Sequence, residues 1–241
     1  MARTFVAASS QKLYAATVAL TAVPLTLACW YRTTTSAWKG LISLAHPSNG
    51  FTGEFAVGLT SAGAGIGATR VVAEVNGGAG GTSAVSSISY SQANVWEHAA
   101  AVFTSSTARA AYLNGTNKGT SAVSATPSGI TDTWLGADIF GDFHDGDLAE
   151  VGIWSIALSD LEVAVLAQGI SPLLVRPEAL VYYAPLWGPY APEIDLMGRR
   201  NLTVTGATAA AHPPVWRPWQ RQTIAKATSG RGVTGQMFAV F

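Results

Sequence analysis

Four aspartates in one short segment form the densest group of possible metal ligands in the sequence. They are Asp138, Asp142, Asp145 and Asp147, and His144 lies among them. Carboxylate oxygens are the hard ligands that calcium prefers, so this segment could hold Ca²⁺. It lacks the spacing and the terminal glutamate of an EF-hand loop, and Asp-Gly steps are also ordinary turn sequences. We therefore favour a structural turn, keep calcium as the alternative, and expect no other cofactor.

Aromatic side chains could supply a second kind of chemistry, because an exposed flat ring can stack on a pyranose sugar. Five of them fall in or near predicted loops: Trp38, Tyr90, Trp134, Phe140 and Phe143. A large β domain also needs aromatic residues for its core, and 23 of the 241 residues are Phe, Trp or Tyr. Core packing is thus the alternative role for the five, and Trp96 and Trp154, on predicted strands, are assigned to the core.

Histidine and cysteine offer little further chemistry. The four histidines show no His-x-x-x-His spacing, which argues against zinc. Cys29 is the only cysteine, which excludes a disulfide framework and a multi-cysteine metal site. Because it alternates with core residues of a predicted strand, we expect a buried, unreactive thiol.

Composition narrows the class of protein. Only 12% of the residues are charged, against about 25% in an average globular protein, and 49% are hydrophobic, which excludes a disordered chain. The formal net charge of zero excludes a simple electrostatic binder of nucleic acid, and no apolar run reaches the length of a transmembrane helix. Nucleic acid and membranes are therefore not expected partners. A weakly charged surface protects little against self-association, so we expect fixed protein partners, including sister subunits.

The zero net charge conceals an asymmetry. Residues 1–195 hold all fourteen acidic and eight of the basic side chains, a net charge of −6, and the rest of the chain carries +6. Basic tails of this kind commonly dock on an acidic partner, with aromatic and arginine side chains as anchors. The predicted docking residues are Trp216, Arg217, Trp219, Arg221, Lys226, Arg231, Phe238 and Phe241. The alternative is that the tryptophans here cover one end of the domain.

The N-terminal segment could be a targeting signal. Residues 13–28 are nearly uncharged and end at Cys29, as in a lipoprotein signal peptide. However, Pro24 interrupts the apolar run, Thr26 occupies a position where leucine is preferred, and Trp30 is not small. We expect the segment to be retained and folded, without a cleaved signal peptide, and keep the lipoprotein signal as the alternative.

Elsewhere the pattern is that of strands. Apolar and other residues alternate over 25–32, which predicts a strand with two distinct faces. Asn114-Gly115 predicts a tight hairpin turn, because both turn positions need positive φ. The further predicted strands cover residues 39–44, 51–59, 70–75, 98–103, 108–113, 116–121, 179–186 and 201–205.

A single short helix interrupts the strands. Ser159 and Glu162 form a capping box, and a stripe of apolar residues follows. Gly169 stands where a left-handed C-terminal cap belongs. The helix therefore covers about residues 159–168.

Three runs around this helix carry a resemblance to a known family. They are Gly-Asp-Leu-Ala-Glu-Val-Gly-Ile-Trp at 146–154, Ala-Leu-Ser-Asp-Leu-Glu at 157–162 and Leu-Ala-Gln-Gly at 166–169. Together with 25–30, 96–103 and 112–115, they resemble the laminin-G-like, concanavalin A-like lectin/glucanase superfamily. The resemblance covers residues 3–210 and implies an all-β jelly-roll sandwich of two antiparallel sheets, in which the N-terminal apolar run becomes two core strands. We expect this domain at 1–210, followed by a C-terminal arm at 211–241.

The same resemblance suggests an enzyme. Glu193-Ile194-Asp195 resembles the start of the carboxylate-bearing catalytic strand of the family's retaining glucanases. The third carboxylate is missing, with Met197 or Gly198 in its place, so no group can protonate the leaving oxygen. A glycoside hydrolase is therefore the least favoured function.

Two other functions remain. The first is a non-enzymatic structural protein of a bacteriophage virion, assembled in the host cytoplasm, anchored by its arm to other virion proteins, and displaying a sandwich that could bind host surface glycan. The second is a carbohydrate-binding module, with or without calcium, on a cell surface or exported.

Overall fold

Antiparallel strands form almost all of the regular structure. The computed structural model describes residues 1–46, 53–61, 69–77, 81–188, 190–198 and 200–216. The strands are β1 (Ala2–Phe5), β2 (Lys12–Ala15), β3 (Leu25–Thr33), β4 (Lys39–Ala45), β5 (Glu54–Leu59), β6 (Val71–Asn76), β7 (Gly81–Val85), β8 (Glu97–Ser105), β9 (Ala108–Leu113), β10 (Asn117–Ser121), β11 (Asp132–Leu135), β12 (Gly146–Trp154), β13 (Leu180–Ala184), β14 (Thr203–Thr205) and β15 (Thr208–Ala210). The helix is α1 (Asp160–Ala167), with 3₁₀ turns at Ala7–Ser9 and Pro172–Leu174.

The strands form two sheets. Sheet A has the order β10-β9-β8-β3-β12-β1-β15, and β13 also pairs with β12. Sheet B has the order β14-β2-β11-β4-β5-β6-β7. All of these pairings are antiparallel, and the expected jelly-roll sandwich is confirmed.

The core lies between the sheets because alternate residues of each strand point inward. Its large side chains include Phe5, Leu27, Tyr31, Ile42 and Phe103, all at most 1% exposed. Cys29 belongs to the same core, and burial raises the pKa of its thiol, as expected for an unreactive cysteine.

The outer face of sheet A is also apolar, because α1 and the 3₁₀ turn after it cover this face. Val163 and Leu166 of α1 pack with Ala100, Tyr112 and Trp154. Trp154 is fully buried, as predicted, and its indole N–H donates to the carbonyl of Val175 at 2.7 Å.

The predicted capping box and the predicted hairpin turn are confirmed. Ser159 Oγ accepts the Glu162 amide, and the Glu162 carboxylate accepts the Ser159 amide at 2.8 Å. Asn114 and Gly115 both have positive φ, at 52° and 77°. A Cβ atom on Gly115 would lie 2.7 Å from Ala164 Cα, so this glycine also lets the hairpin approach the helix.

Sequence periodicity located the long strands better than the short ones. Four strands were not predicted: β1, β7, β11 and β15. Each has only three to five residues, too few for a clear alternation. Trp96 was assigned to the core, but it is partly exposed just before β8, with the Arg32 guanidinium 5.1 Å from its ring centre.

A buried ion pair connects the first strand to the segment after β13. Arg3 and Glu193 are at most 3% exposed, and Arg3 Nε donates to Glu193 Oε2 at 2.8 Å. The same guanidinium donates to the carbonyls of Ala207 and Tyr190. The Arg3 side chain thus connects β1 to three positions in the C-terminal third of the domain, residues 190, 193 and 207.

Replacing Arg3 should therefore be costly. Arg3→Met leaves the Glu193 carboxylate buried without its partner, and we expect the free energy of unfolding to fall by about 3–5 kcal/mol. Urea denaturation measures this loss. Arg176→Met, which breaks an exposed ion pair with Glu162, is the matched control and should change stability little. Equal effects of the two variants would contradict this role of Arg3.

The first residues of the predicted arm lie on the sandwich. His212 Nε2 lies 3.0 Å from a Glu150 carboxylate oxygen, and Trp216 forms a parallel bridge with Ile170. Residues 211–216 therefore pack against the domain that was expected to end at 210.

In the described part of the chain, no helix is long and apolar enough to cross a membrane.

Candidate functional site

The outer face of sheet B carries an aromatic group. On β11, Leu135 points into the core and its neighbour Trp134 points to the other side. Trp134 pairs with Tyr14 of β2 on one side and Ser43 of β4 on the other. Because residues in register across a sheet share a face, Tyr14 lies beside the indole of Trp134.

Four side chains make direct contacts here, and we call them the Trp134 patch: Lys12, Tyr14, Trp134 and Phe143. The rings of Tyr14 and Trp134 meet edge to face, with centroids 4.9 Å apart. Lys12 Nζ lies 4.4 Å from the Trp134 ring centre and 5.9 Å from that of Phe143. All four are partly exposed, so the patch presents two rings around an ammonium group.

The polar atoms of the patch differ in whether they are satisfied. Tyr14 Oη donates to Asp132 Oδ2 at 2.6 Å, which together with burial raises the pKa of Tyr14 to about 12 and keeps its hydroxyl protonated. Trp134 Nε1 is buried and has no hydrogen-bond partner in the described part of the chain. Among the described residues, no carboxylate lies within ion-pair distance of Lys12.

A groove of about 400 Å³ adjoins the patch. It is lined by Tyr14, Ala15, Ala16, Thr17, Arg200, Asn201 and Thr203. Thr203 pairs with Tyr14, so the groove continues the surface of the patch towards the edge strand β14. Amide, hydroxyl and guanidinium groups are of the kind that bind sugar hydroxyls.

The loop that carries Phe143 is fixed on sheet B. The Gly40 amide donates to the Asp142 carbonyl at 2.8 Å. A Cβ atom on residue 40 would lie 2.4 Å from the carbonyl carbon of Ala137, so only glycine permits this approach. The loop therefore lies against β4 and brings Phe143 to Lys12.

Within and beneath this loop lies a group of buried and half-buried acids, which we call the carboxyl cluster: Glu54, Glu74, Asp138 and Asp142. Glu54 is 1% exposed and accepts hydrogen bonds from Ser43 Oγ and Asn76 Nδ2. Burial, with the nearby charges of Asp138 and Glu74, raises the pKa of Glu54 to about 8. Glu54 is therefore largely protonated at neutral pH.

The other three acids share this environment. Burial raises the pKa of Asp138 to about 7 even though the amides of Phe140 and Asp142 donate to its carboxylate. Burial likewise raises the pKa of Asp142 and of Glu74. The cluster holds its loop in place with less negative charge than four carboxyl groups would normally carry.

The cluster should make stability depend on pH. Folding raises the pKa of Glu54 from 4.5 to about 8, so the folded state keeps a proton that the unfolded chain loses over this interval, and stability falls as pH rises through it. Between pH 5 and pH 8 the free energy of unfolding of the native chain should fall by roughly 2–4 kcal/mol more than that of Glu54→Gln, a variant that mimics the protonated acid. Urea denaturation at the two pH values tests this, with Glu178→Gln, at an exposed position, as the control. Parallel pH dependence of native chain and Glu54→Gln would refute it.

The structure places the five predicted sugar-stacking residues in different environments. Trp134 and Phe143 meet across Lys12, although Trp134 lies on a strand and not in a loop. Phe140 is 39% exposed on the same loop as Phe143, and Trp38 is partly exposed just before β4. Tyr90 is only 3% exposed and its hydroxyl donates to the Thr60 carbonyl, so it is a core residue and cannot serve as a stacking surface.

The predicted calcium ligands do not converge. Asp138 and Asp142 belong to the carboxyl cluster, whereas Asp145 accepts the Ala7 amide at 3.3 Å and Asp147 pairs with Arg32 at 2.5 Å. His144 between them is fully buried, and burial lowers its pKa to about 4. Within the described ranges, no group of three or more His, Cys, Asp or Glu side chains could hold a metal ion. The turn interpretation fits these contacts better than a four-aspartate site.

The glucanase-like carboxylates have structural roles. Glu193 pairs with Arg3, and Asp195 accepts the amides of Tyr183, Met197 and Gly198. Both residues are 2% exposed. Neither carboxylate is placed to contact a substrate.

Only one of the predicted docking residues, Trp216, lies in the described part of the chain. Trp216 is 48% exposed, and its backbone bonds to Gly169 and Ser171 at the end of α1. Arg217, Trp219, Arg221, Lys226, Arg231, Phe238 and Phe241 lie outside the described residues.

Sequence reasoning missed Lys12 and Tyr14. The available signal was the alternation of Lys12 and Tyr14 with Leu13 and Ala15, which is the pattern of a strand with one face in the core. The apolar run that follows concealed it by suggesting a signal peptide.

Two packed antiparallel sheets with a capped helix on one outer face define a lectin-like sandwich. The chain belongs to the concanavalin A-like lectin/glucanase superfamily, whose sequence model matches residues 7–164. No curated protein matches the sequence.

Solved structures show the same fold. A presumed carbohydrate-binding protein from Bacteroides ovatus superposes with a TM-score of 0.65 and 19% identity, over 89% of this chain and 61% of its own. A heptameric pentraxin from Limulus polyphemus superposes with a TM-score of 0.51 and 19% identity, over 65% of this chain and 75% of its own. Tailspike protein 2 of bacteriophage CAB120 superposes with a TM-score of 0.50 and 16% identity, over 77% of this chain and 28% of its own. The chain thus spans about three fifths of the Bacteroides protein, and at these identities the likeness concerns the fold alone.

Proposed function

We propose that the protein is a non-catalytic carbohydrate-binding module whose ligand lies on the outer face of sheet B. The observation that carries the proposal is the Trp134 patch, where partly exposed rings share one surface with an ammonium group that has no acidic partner among the described residues. Protein sites for sugars combine a ring that stacks on the pyranose with polar groups that bind its hydroxyls. The structural roles of Glu193 and Asp195 support the absence of hydrolysis.

A larger groove on sheet A is less suited to a sugar. It has about 600 Å³ and includes Tyr112, Lys118 and Asp160. Tyr112 is 2% exposed, and its hydroxyl and the Lys118 ammonium both donate to Asp160. The ring and the main polar groups are therefore already occupied.

Trp134→Ala should abolish saccharide binding without unfolding the domain, because the indole lies outside the core. A glycan array compares the variant with the native chain, and thermal denaturation checks the fold. Trp216→Ala removes an exposed tryptophan on the opposite side of the sandwich and should leave binding unchanged. A Trp134→Ala protein that binds like the native chain would refute this location of the site.

A bacteriophage virion role, with assembly in the host cytoplasm, is the second candidate. It is supported by the weakly charged surface and by the charge of +6 carried after residue 195, which suits docking on an acidic partner. In this role the C-terminal residues would anchor the domain while sheet B faces outward. The two functions are compatible.

Deletion of residues 219–241 tests the anchor. The truncated chain should fold, because it keeps every strand and helix described for the sandwich, but it should no longer enter virus particles. Electrophoresis of purified particles measures incorporation against the full chain. Unchanged incorporation would exclude the anchoring role.

A further inference from the structure

We propose that the saccharide bound by the Trp134 patch is acidic, and that Lys12 selects it by binding its carboxylate or sulfate group. The inference rests on the proposed function and adds the chemical class of the ligand. Its starting point is the position of the Lys12 ammonium, which lies between two aromatic rings on an accessible face.

The first argument is that Lys12 keeps its donors available. An ammonium group has three N–H donors, and no hydrogen bond or ion pair from Lys12 occurs within the described residues. Lys118 provides the contrast, since it also lies over an aromatic ring, that of Tyr112, but donates to Asp160 at 2.8 Å. The rings hold the Lys12 ammonium in position while leaving its charge without an anionic partner.

The second argument concerns the ring surface. Lys12 lies over Trp134, so a neutral sugar that stacked on this side would have to displace it and lose the cation–π contact. An acidic sugar can instead approach the ammonium directly and form a charge-assisted hydrogen bond. The geometry therefore favours a ligand with a negative group at Lys12.

The third argument is the charge of the surrounding face. The carboxyl cluster would repel an anion if it were fully ionised, but the pKa values of all four acids are raised, that of Glu54 to about 8 and that of Asp138 to about 7. Lys39 acts electrostatically on Asp142, whereas Arg200 in the adjoining groove is already paired with Asp195 at 3.9 Å. Asp132, also on this face, already accepts the Tyr14 hydroxyl. The raised pKa values of the four acids therefore lessen the negative charge that this face would present to an anion near Lys12.

The test uses the full chain on an array of paired oligosaccharides at pH 6. Each pair consists of an acidic saccharide, bearing a uronic acid, a sialic acid or a sulfate, and its neutral counterpart, the methyl ester or the desulfated form. The native chain should bind at least one acidic member about tenfold more tightly than its neutral partner, since one charge-assisted contact is worth about this factor. Lys12→Gln should bring the ratio close to one, and Lys12→Arg should preserve it.

Lys118→Gln, which removes a partly exposed lysine from the outer face of sheet A, should retain the native ratio. A native chain that binds only neutral saccharides, or a Lys12→Gln variant that keeps the preference, overturns the assignment of Lys12 and leaves the proposed function standing. Binding of no saccharide overturns both. Loss of all binding in Trp134→Ala, with loss of only the acidic preference in Lys12→Gln, supports both.

Discussion

The buried pair of Arg3 and Glu193 is the constraint on which much of the domain depends. Glu193 exchanges backbone hydrogen bonds with Leu202, and β14 follows directly at Thr203. β14 in turn pairs with β2, the strand that carries Lys12 and Tyr14. A charge buried in β1 of sheet A thus helps to set the position of an edge strand in sheet B. Removing two charges from water is unfavourable in itself, so the pair is best understood as fixing this arrangement and not as a large net gain in stability.

The two sheets use their outer faces differently. On sheet A, α1 and the segment after it cover Ala100, Tyr112 and Trp154, so this face becomes a second apolar layer. On sheet B the covering segment is the loop over residues 137–143, which brings acids and phenylalanines instead of a helix. Because the loop leaves Trp134 and Lys12 partly exposed, sheet B retains an accessible polar surface. The burial of the carboxyl cluster is the energetic cost of placing Phe143 there.

The sequence allowed the fold to be predicted more fully than the site. The capping box at Ser159, the turn at Asn114 and the alternation over 25–32 are local signals, and each is confirmed because local hydrogen bonds or periodicity determine these features. Exposure of an aromatic residue is not local. Tyr90 and Trp134 both stood near predicted loops, yet one is in the core and the other on a sheet surface, because strands distant in sequence decide what covers each ring. Likewise, the four clustered aspartates have different partners, because Asp138 and Asp142 lie in the loop over sheet B whereas Asp145 and Asp147 lie at the start of β12 in sheet A.

Lys12 shows how a group of contacting surface residues can form without any sequence motif. Its contacts join β2 to β11 and to the loop after β11, both of which lie more than a hundred residues further along the chain. A lysine on an edge strand would normally be read as protection against edge-to-edge pairing. Here, however, β14 pairs with β2, so β2 is not an edge strand and that explanation does not apply. What distinguishes Lys12 is that two rings hold its ammonium while no acid among the described residues pairs with it, and both observations support the proposed recognition of an anionic group.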